Sequence, residues 1–331
     1  MRLAPLLASG ARHLGNIVLT MAGVLLLNFF LLHLIPGDAA DVLAAESGGG
    51  TSETMALLRH HMGLDIPLLQ QLAVYIGNLV HLNLGFSLRY NAPVFDVIMS
   101  RLPATLVLAT ASYVLGIVLG AVVGAVMAAW RGRWPDRVLS GLVVVLYSTP
   151  SFLVGVLLII LFSVQLGWLP SDGTSSVGLT LTGFQALADQ AAHLVLPTLA
   201  LSAHFVAVYA RLTRAAMIEI EGLDFVRTAR AKGVHPFFVT VRHVLRNALI
   251  PLSTMAGAQL AALLGGAATV EMVFSWPGIG RLALDAVQSR DFATLLGILL
   301  ISSIVVVLSN LLVDALQALL DPRIRRRQTA A

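Results

Sequence analysis

Six stretches of this chain are nearly free of charge and long enough to cross a bilayer. Residues 14–35, 103–130, 138–169, 193–210 and 249–270 contain no Asp, Glu, Lys or Arg, and residues 292–320 contain only Asp314. A spanning helix needs about 20 apolar residues, and inside lipid a helix satisfies its own backbone polar groups. Each run is therefore expected as a transmembrane helix, and the fold class as an all-α polytopic membrane protein. Only 11% of the residues are charged, against about 25% in soluble domains, so a water-soluble core is excluded. There is no cysteine, which removes disulfides, thiolate metal sites and a Cys nucleophile.

Arg2 and Arg12 precede the first run in the manner of a signal peptide. Its apolar core exceeds the 7–15 residues of a signal h-region, so 14–35 reads as an anchor behind a short N-terminal segment, 1–13. Between the first two spans, 36–102 is mixed. Ser47-Gly48-Gly49-Gly50-Thr51-Ser52 is loop; Glu53–Met62 and Pro67–Leu82 read as short helices, the second capped by Asp65 with Pro67 in its first turn. Asn83 to Asn91 is loop. The short helices lack spanning length and are placed at the membrane surface. Pro170 to Ala192 and 271–291 read as loops, the latter carrying Trp276, Pro277, Gly278 and Gly280; 321–331 is a tail.

The distribution of charge orients the spans. Sixteen of the 21 Lys and Arg fall on one side: Arg2, Arg12, the arginines of the 131–137 turn, seven residues of 211–248 and four of the tail. By the positive-inside rule that side is cytoplasmic, which places both termini inside and 36–102 outside. Topology explains the positive charge, and no nucleic-acid partner is needed.

The segment 211–248 holds the largest block of charge. Asp224 is expected to cap a short helix through Arg227, Thr228, Ala229, Arg230, Ala231 and Lys232. Gly233 supplies a position tolerant of positive φ, and His235-Pro236 restarts the chain into a second helix over Phe237–Leu249. The small residues Thr228, Ala229 and Ala231 let the first helix approach another surface closely. The reading is a helix–turn–helix displayed at the membrane face for docking.

Chemistry is sparse. No nucleotide-binding loop, metalloprotease or serine-hydrolase motif is present, and neither catalytic nor metal-ligating residues are assigned. His60 and His61 are adjacent and do not share a helix face. His204 reads as a helix–helix hydrogen-bonding residue. Asp314 is expected to pair with Arg323 or Arg246. No ladder of ionisable groups crosses the spans, which argues against an ion-coupled secondary transporter. Pro150 breaks or kinks the third span. Such breaks survive only inside protein or beside water, so Pro150 serves packing or lines a route. Pro197, Ser253 and Gln259 are the other candidates for lining it.

Eight segments in order carry a resemblance to a known family: Ile35-Pro36-Gly37-Asp38, Gly63-Leu64-Asp65-Ile66-Pro67-Leu68, Asn83-Leu84-Gly85-Phe86-Ser87, Arg101-Leu102-Pro103-Ala104-Thr105-Leu106, Thr149-Pro150-Ser151-Phe152, Leu196-Pro197-Thr198-Leu199, Phe274-Ser275-Trp276-Pro277-Gly278-Ile279-Gly280 and Asp321-Pro322-Arg323-Ile324. Together they resemble the inner-membrane permeases of the dipeptide/oligopeptide/nickel group of ABC importers, over about residues 12–326. The block at Arg227, Thr228, Ala229 and Gly233 is similar to the signature Glu-Ala-Ala, three residues, Gly, with Arg227 in place of the leading Glu. The resemblance implies a type I permease fold with an external helical insertion between spans 1 and 2. It implies a bacterial inner-membrane subunit that is not itself an enzyme and pairs with a second homologous permease. Two ATPase subunits would hold ATP and Mg and dock on the short helix, an external binding protein would deliver substrate, and the chain itself would carry no cofactor. Di- or oligopeptide is the favoured substrate and nickel the alternative.

The orientation has a direct check. A cysteine at Gly49 is expected to react with an impermeant thiol reagent from outside, and one at Gly132 only after permeabilisation; the opposite pattern reverses the topology.

Overall fold

The computed structural model describes residues 15, 19–31, 66–87, 89–176, 178, 180–259 and 263–320 and separates into two units. Among the described residues, those up to 100 and 283–305 belong to the first, and 101–282 and 306–320 to the second. In chain order the first helices are α1 (Leu19–Leu31) and α2 (Leu68–Val80). The strands β1 (Phe86–Ser87) and β2 (Ala92–Pro93) pair antiparallel. Then come α3 (Val94–Ala129), α4 (Trp134–Ser148), and α5 (Ser151–Leu158), which runs on as a π-helical turn over Ile159–Gln165. The remaining helices are α6 (Phe184–Glu221), α7 (Asp224–Ala231), α8 (Pro236–Phe238), α9 (Arg246–Gln259), α10 (Leu263–Val273), α11 (Ile279–Gln288) and α12 (Phe292–Leu320); a second π-helical stretch, Val239–Leu245, joins α8 to α9.

Three helices are long and apolar enough to cross a membrane: Val94–Ala129, Phe184–Glu221 and Phe292–Leu312. The pair α4 and α5 with its π turn makes a fourth if counted as one span, bent by 109°. The expected count of six is not reached among the described residues, because the first run is described only over 19–31 and the fifth is divided between α9 and α10. The two longest helices overrun the bilayer. At 1.5 Å per residue, 36 and 38 residues rise about 54 and 57 Å, against a hydrocarbon core of about 30 Å. Charges such as Arg101, Arg211 and Arg214 therefore ride on helix that continues into water instead of marking helix ends. For the same reason residues 184–192, read as loop, are the first turns of α6. Residues 279–288, also read as loop, form α11, which buries Leu282 and Ala286. Pro67 is the N-cap of α2, one position before its expected place; Asp65, Glu53–Met62, His60, His61 and the tail lie outside the described residues.

In the first unit, Asp291 caps α12. Its Oδ1 accepts the Thr294 N–H at 3.1 Å and its Oδ2 accepts the Thr294 hydroxyl at 2.7 Å. The buried Ser87 hydroxyl of β1 donates to the same carboxylate, tying the hairpin to the start of α12. Gly297 leaves room for Val94 and Ile98, both fully buried. Phe29 of α1 meets Tyr75 of α2 with ring centroids 5.9 Å apart.

The second unit is organised around α6. Gly116, Gly120 and Gly124 recur every four residues on one face of α3 and meet Phe205, Tyr209, Ala210 and Thr213 of α6. A Cβ at Gly116 or Gly124 would overlap α6, and one at Gly120 would lie 2.6 Å from the Tyr209 Cβ. Small residues at this spacing let two spans touch backbone to backbone. Above the seam the hydroxyls of Tyr113 and Tyr209 are 2.7 Å apart, and Tyr113 also donates to the Ala256 carbonyl of α9. Leu108, Leu196, Ala200, Leu252, Val270 and Phe274 complete this core. The opposite face of α3, with Val114, Val118 and Val122, is exposed, as a lipid-facing stripe should be.

The break in the third span lies at Pro150. Thr149 is extended, at φ −87° and ψ 125°, the conformation favoured before proline. Its N–H and hydroxyl both return to the Val145 carbonyl, at 3.0 and 2.7 Å, so the end of α4 is satisfied locally. Pro103, Pro197 and Pro251 instead lie inside continuous helices.

The seam predicts an asymmetry between glycines. Gly124→Ala is expected to lower the thermal midpoint of the purified protein, at a cost of about 1–3 kcal/mol for forcing a packed contact apart. Gly141→Ala, whose Cβ meets nothing within 4 Å, is expected to leave it unchanged. Equal tolerance of the two would remove the seam as the organising contact.

Candidate functional site

The charged block folds as a short helix held against the bundle by one face. Leu223, at φ −78° and ψ 151°, is the N-cap of α7 and makes no side-chain cap bond. Asp224 is thus the first helical residue and not the cap, a correction that follows from Leu223 holding the extended geometry a cap needs. At that position its carboxylate favours the positive end of the helix dipole and lies 3.6 Å from Arg227. At the far end Gly233 has φ +75°, as expected. Nothing lies within 4 Å of its missing Cβ, so backbone conformation alone requires glycine there. The N–H groups of Lys232, Gly233 and Val234 close the helix on the carbonyls of Thr228, Arg230 and Ala229.

The faces of α7 differ from the expected arrangement. Val226 and Ala229 are buried among Ala128, Ala216, Met217, Val239, Val244 and Ala248. Ala229 is therefore not free to meet another surface; its small size serves packing within the chain. Arg227, Thr228, Arg230, Ala231, Lys232 and Pro236 are exposed, and Arg230 pairs with Glu221 at the end of α6. Four apolar residues are exposed beside them: Leu223, Phe225, Phe237 and Phe238. The two phenylalanines of α8 sit edge to face, 5.7 Å apart, after His235, whose Nδ1 accepts the Phe237 N–H. Together they form an exposed apolar group within a polar segment. The sequence signal for them was the Phe-Phe pair directly after His-Pro.

A second missed feature anchors the turn between α3 and α4. Asp136 is buried, and Arg214 of α6 donates to both its oxygens, at 2.8 and 2.9 Å. The Gly132 N–H adds a bond of 2.9 Å. These donors, Arg214 first, hold the Asp136 carboxyl well below the usual carboxylate range, at about 2. The sign follows from the lowering: the stabilisation is complete above the ordinary carboxylate range and is lost as pH falls through about 2. The clamp joins the turn to α6, four residues beyond the end of the expected fourth span.

The segment Phe274–Gly280 is built on a residue the sequence reading passed over. Glu271, at the end of α10, is fully buried. Its Oε1 accepts the Thr105 hydroxyl at 2.6 Å, and its Oε2 accepts the Arg281 N–H at 3.1 Å. Thr105 in turn accepts the Ile279 N–H at 2.7 Å. The Trp276 indole donates to the Ala104 carbonyl at 2.9 Å. A Cβ on Gly278 would overlap the Glu271 carboxylate, and one on Gly280 would overlap Ala268. The glycines are there to let the chain wrap a carboxylate. A lone Glu at the end of an uncharged run, seven residues before a Gly-x-Gly, was the available signal.

The route candidates differ in exposure. Pro150 and Ser253 are exposed, Gln259 is partly exposed and Pro197 is buried. The Ser253 hydroxyl is spent on the Ile250 carbonyl. His204 is exposed and stacks on Tyr147 instead of bonding another helix. The pairing proposed for Asp314 falls outside what is described. Among the described residues no group of three or more His, Cys, Asp or Glu is placed to hold a metal.

Comparison with known proteins finds two family matches. Residues 116–326 match the binding-protein-dependent transport system inner membrane component, and residues 10–109 match the N-terminal part of such membrane components. The glutathione transport system permease protein GsiC of Escherichia coli (strain K12) is 41% identical over 314 residues, which cover 95% of this chain and 97% of that one. GsiC of Shigella dysenteriae serotype 1 (strain Sd197) shares the same identity and coverage. Among solved structures, the inward-facing MetNI methionine ABC transporter in its CY5 native crystal form aligns with a TM-score of 0.54 at 22% identity, over 68% of this chain and 96% of that one.

The Glu271 arrangement predicts a graded response. Glu271→Ala leaves buried donors unpaired and is expected to cost about 1–3 kcal/mol for each, read as a fall in the unfolding midpoint. Glu271→Gln keeps an acceptor and is expected to cost less. Gly278→Ala is expected to resemble Glu271→Ala. Indifference to all three would show that the carboxylate does not organise the turn.

Proposed function

The chain belongs to the binding-protein-dependent transport system inner membrane component family, and from that premise we propose how it works as the permease of an ABC importer. It is a multi-pass transport subunit of the peptide and glutathione type and not an enzyme. ATPase and external binding-protein partners follow from the family. Our reading adds a second, homologous permease that completes the channel, ATP and Mg held by the ATPases, both termini in the cytoplasm, and a short peptide of about glutathione's size as the substrate. The substrate reading is supported by 41% identity, across almost the whole chain, to permeases named for glutathione transport.

The observation that carries the coupling role is the two-faced form of α7. Its outer side presents Phe225, Arg227, Thr228, Arg230 and Lys232 beside Phe237 and Phe238. Aromatic and arginine anchors of this kind dominate protein interfaces. Its inner side embeds Val226 and Ala229 against residues of α3, α6, α9 and the π stretch before α9. A displacement of α7 by a closing ATPase pair is thereby passed to the spans through packed side chains. Gly233 sets the angle at which the outer face is presented. Alternating access then follows the ATP cycle.

The test is substrate-stimulated ATP hydrolysis by the reconstituted complex, with ATPase pull-down in parallel. Gly233→Val strains a positive-φ position by about 1–3 kcal/mol and is expected to abolish transport and stimulation. Phe225→Glu and Phe237→Glu leave the buried face intact and are expected to lose ATPase association. If all three variants stimulate and transport as the unaltered protein does, this surface is not where the ATPases act.

A further inference from the structure

A cavity of about 320 Å³ opens between α3, α4 and α6, lined by Met127, Ser140, Val143, Val144, Arg211 and Arg214. Its lining is divided by chemistry. Met127 and Val143 are almost completely buried and form an apolar floor, while two guanidinium groups stand at its side. Arg214 is already committed to Asp136. Arg211 is exposed, and among the described residues no carboxylate lies within ion-pair distance of it. Instead its guanidinium carbon lies 3.8 Å from the centroid of the Tyr147 ring. Tyr147 is nearly three turns further along α4 than Arg137 and stacks on His204. Stacking on one ring uses only part of a guanidinium's capacity to pair with an anion.

We infer that this cavity binds the phosphate headgroup of an anionic phospholipid from the cytoplasmic leaflet, with Arg211 as its main cationic contact. The assignment of the leaflet rests on the orientation proposed above. Three further observations fit a lipid. Trp130 and Trp134 are exposed at the same end of α3 and α4, where aromatic residues mark the membrane boundary. Arg131, Arg133 and Arg137 are exposed beside them and add the positive field that attracts anionic headgroups. Deeper along α4, Leu142, Val144 and Val145 are exposed, an apolar surface for the acyl chain that leads away from the headgroup. A free peptide would place its polar backbone against the apolar floor, which suits it poorly.

The probe is phosphatidylglycerol, titrated onto the purified transporter complex in a neutral detergent and followed by native mass spectrometry, with phosphatidylcholine in a second arm. Phosphatidylglycerol is expected to be retained over phosphatidylcholine. Arg211→Ala is expected to weaken that retention about fivefold, the effect of one cation on an anionic headgroup. Arg211→Lys is expected to keep most of it, and Arg89→Ala, an exposed residue on the outer side in the proposed orientation, all of it. Four results overturn the site: unchanged retention in Arg211→Ala, equal retention of the two lipids, displacement by inorganic phosphate, or displacement by peptide substrate. Retention of the lipid by a preparation whose permease fails to associate with ATPases overturns the coupling role and leaves the lipid site standing.

Discussion

Two helices in lipid gain no hydrophobic free energy by meeting, because the acyl chains they displace are as apolar as their own side chains. What brings α3 and α6 together is the absence of side chains at Gly116, Gly120 and Gly124. Backbone contact along that seam increases dispersion and lets the Tyr113–Tyr209 hydroxyl pair form above it. The other contacts of the second unit follow from where this places α6. Its Leu196, Ala200 and Leu201 meet the core that also holds Val270 and Phe274, and its last turns reach past the spans toward α7.

The continuity of α6 matters for transmission. A helix of 38 residues has no break between the membrane core and Glu221, where Arg230 of α7 is paired. Asp136 and Arg214 fix the neighbouring turn to the same helix. Asp136 is buried and Arg214 partly exposed, and the two-pronged contact between them resists separation of α4 from α6. The helices packed against α7 are thus tied to one another, while the face α7 turns outward is exposed.

Four prolines show how context decides a local rule. Pro150 ends a helix because Thr149 closes the preceding turn on Val145 with two bonds, and the span bends by 109°. Pro197 sits in a tightly buried part of α6 and leaves the helix intact. Neighbouring helices pack round it there, the setting in which membrane helices tolerate proline. Glu271 shows the same dependence in polar form. A carboxylate that would be prohibitive in lipid is satisfied by Thr105 and the Arg281 N–H, residues that folding alone brings to it.

The all-helical membrane class, the approximate position of the long spans and the short helix closed by Gly233 were legible in the chain, because each rests on local facts: uncharged length, charge asymmetry and the φ freedom of one glycine. Helix limits were less so, since a charge that ends an apolar run does not end a helix that continues into water; hence the early starts of α3 and α6 and the helix α11 within an expected loop. The inward direction of Ala229, the exposed group Leu223, Phe225, Phe237 and Phe238, the Gly116–Gly120–Gly124 seam and the Glu271 cradle depended on the tertiary structure. Which face of a helix is buried, and which distant donor meets a carboxylate, is set by the packing of segments far apart in the chain, and no local pattern encodes it.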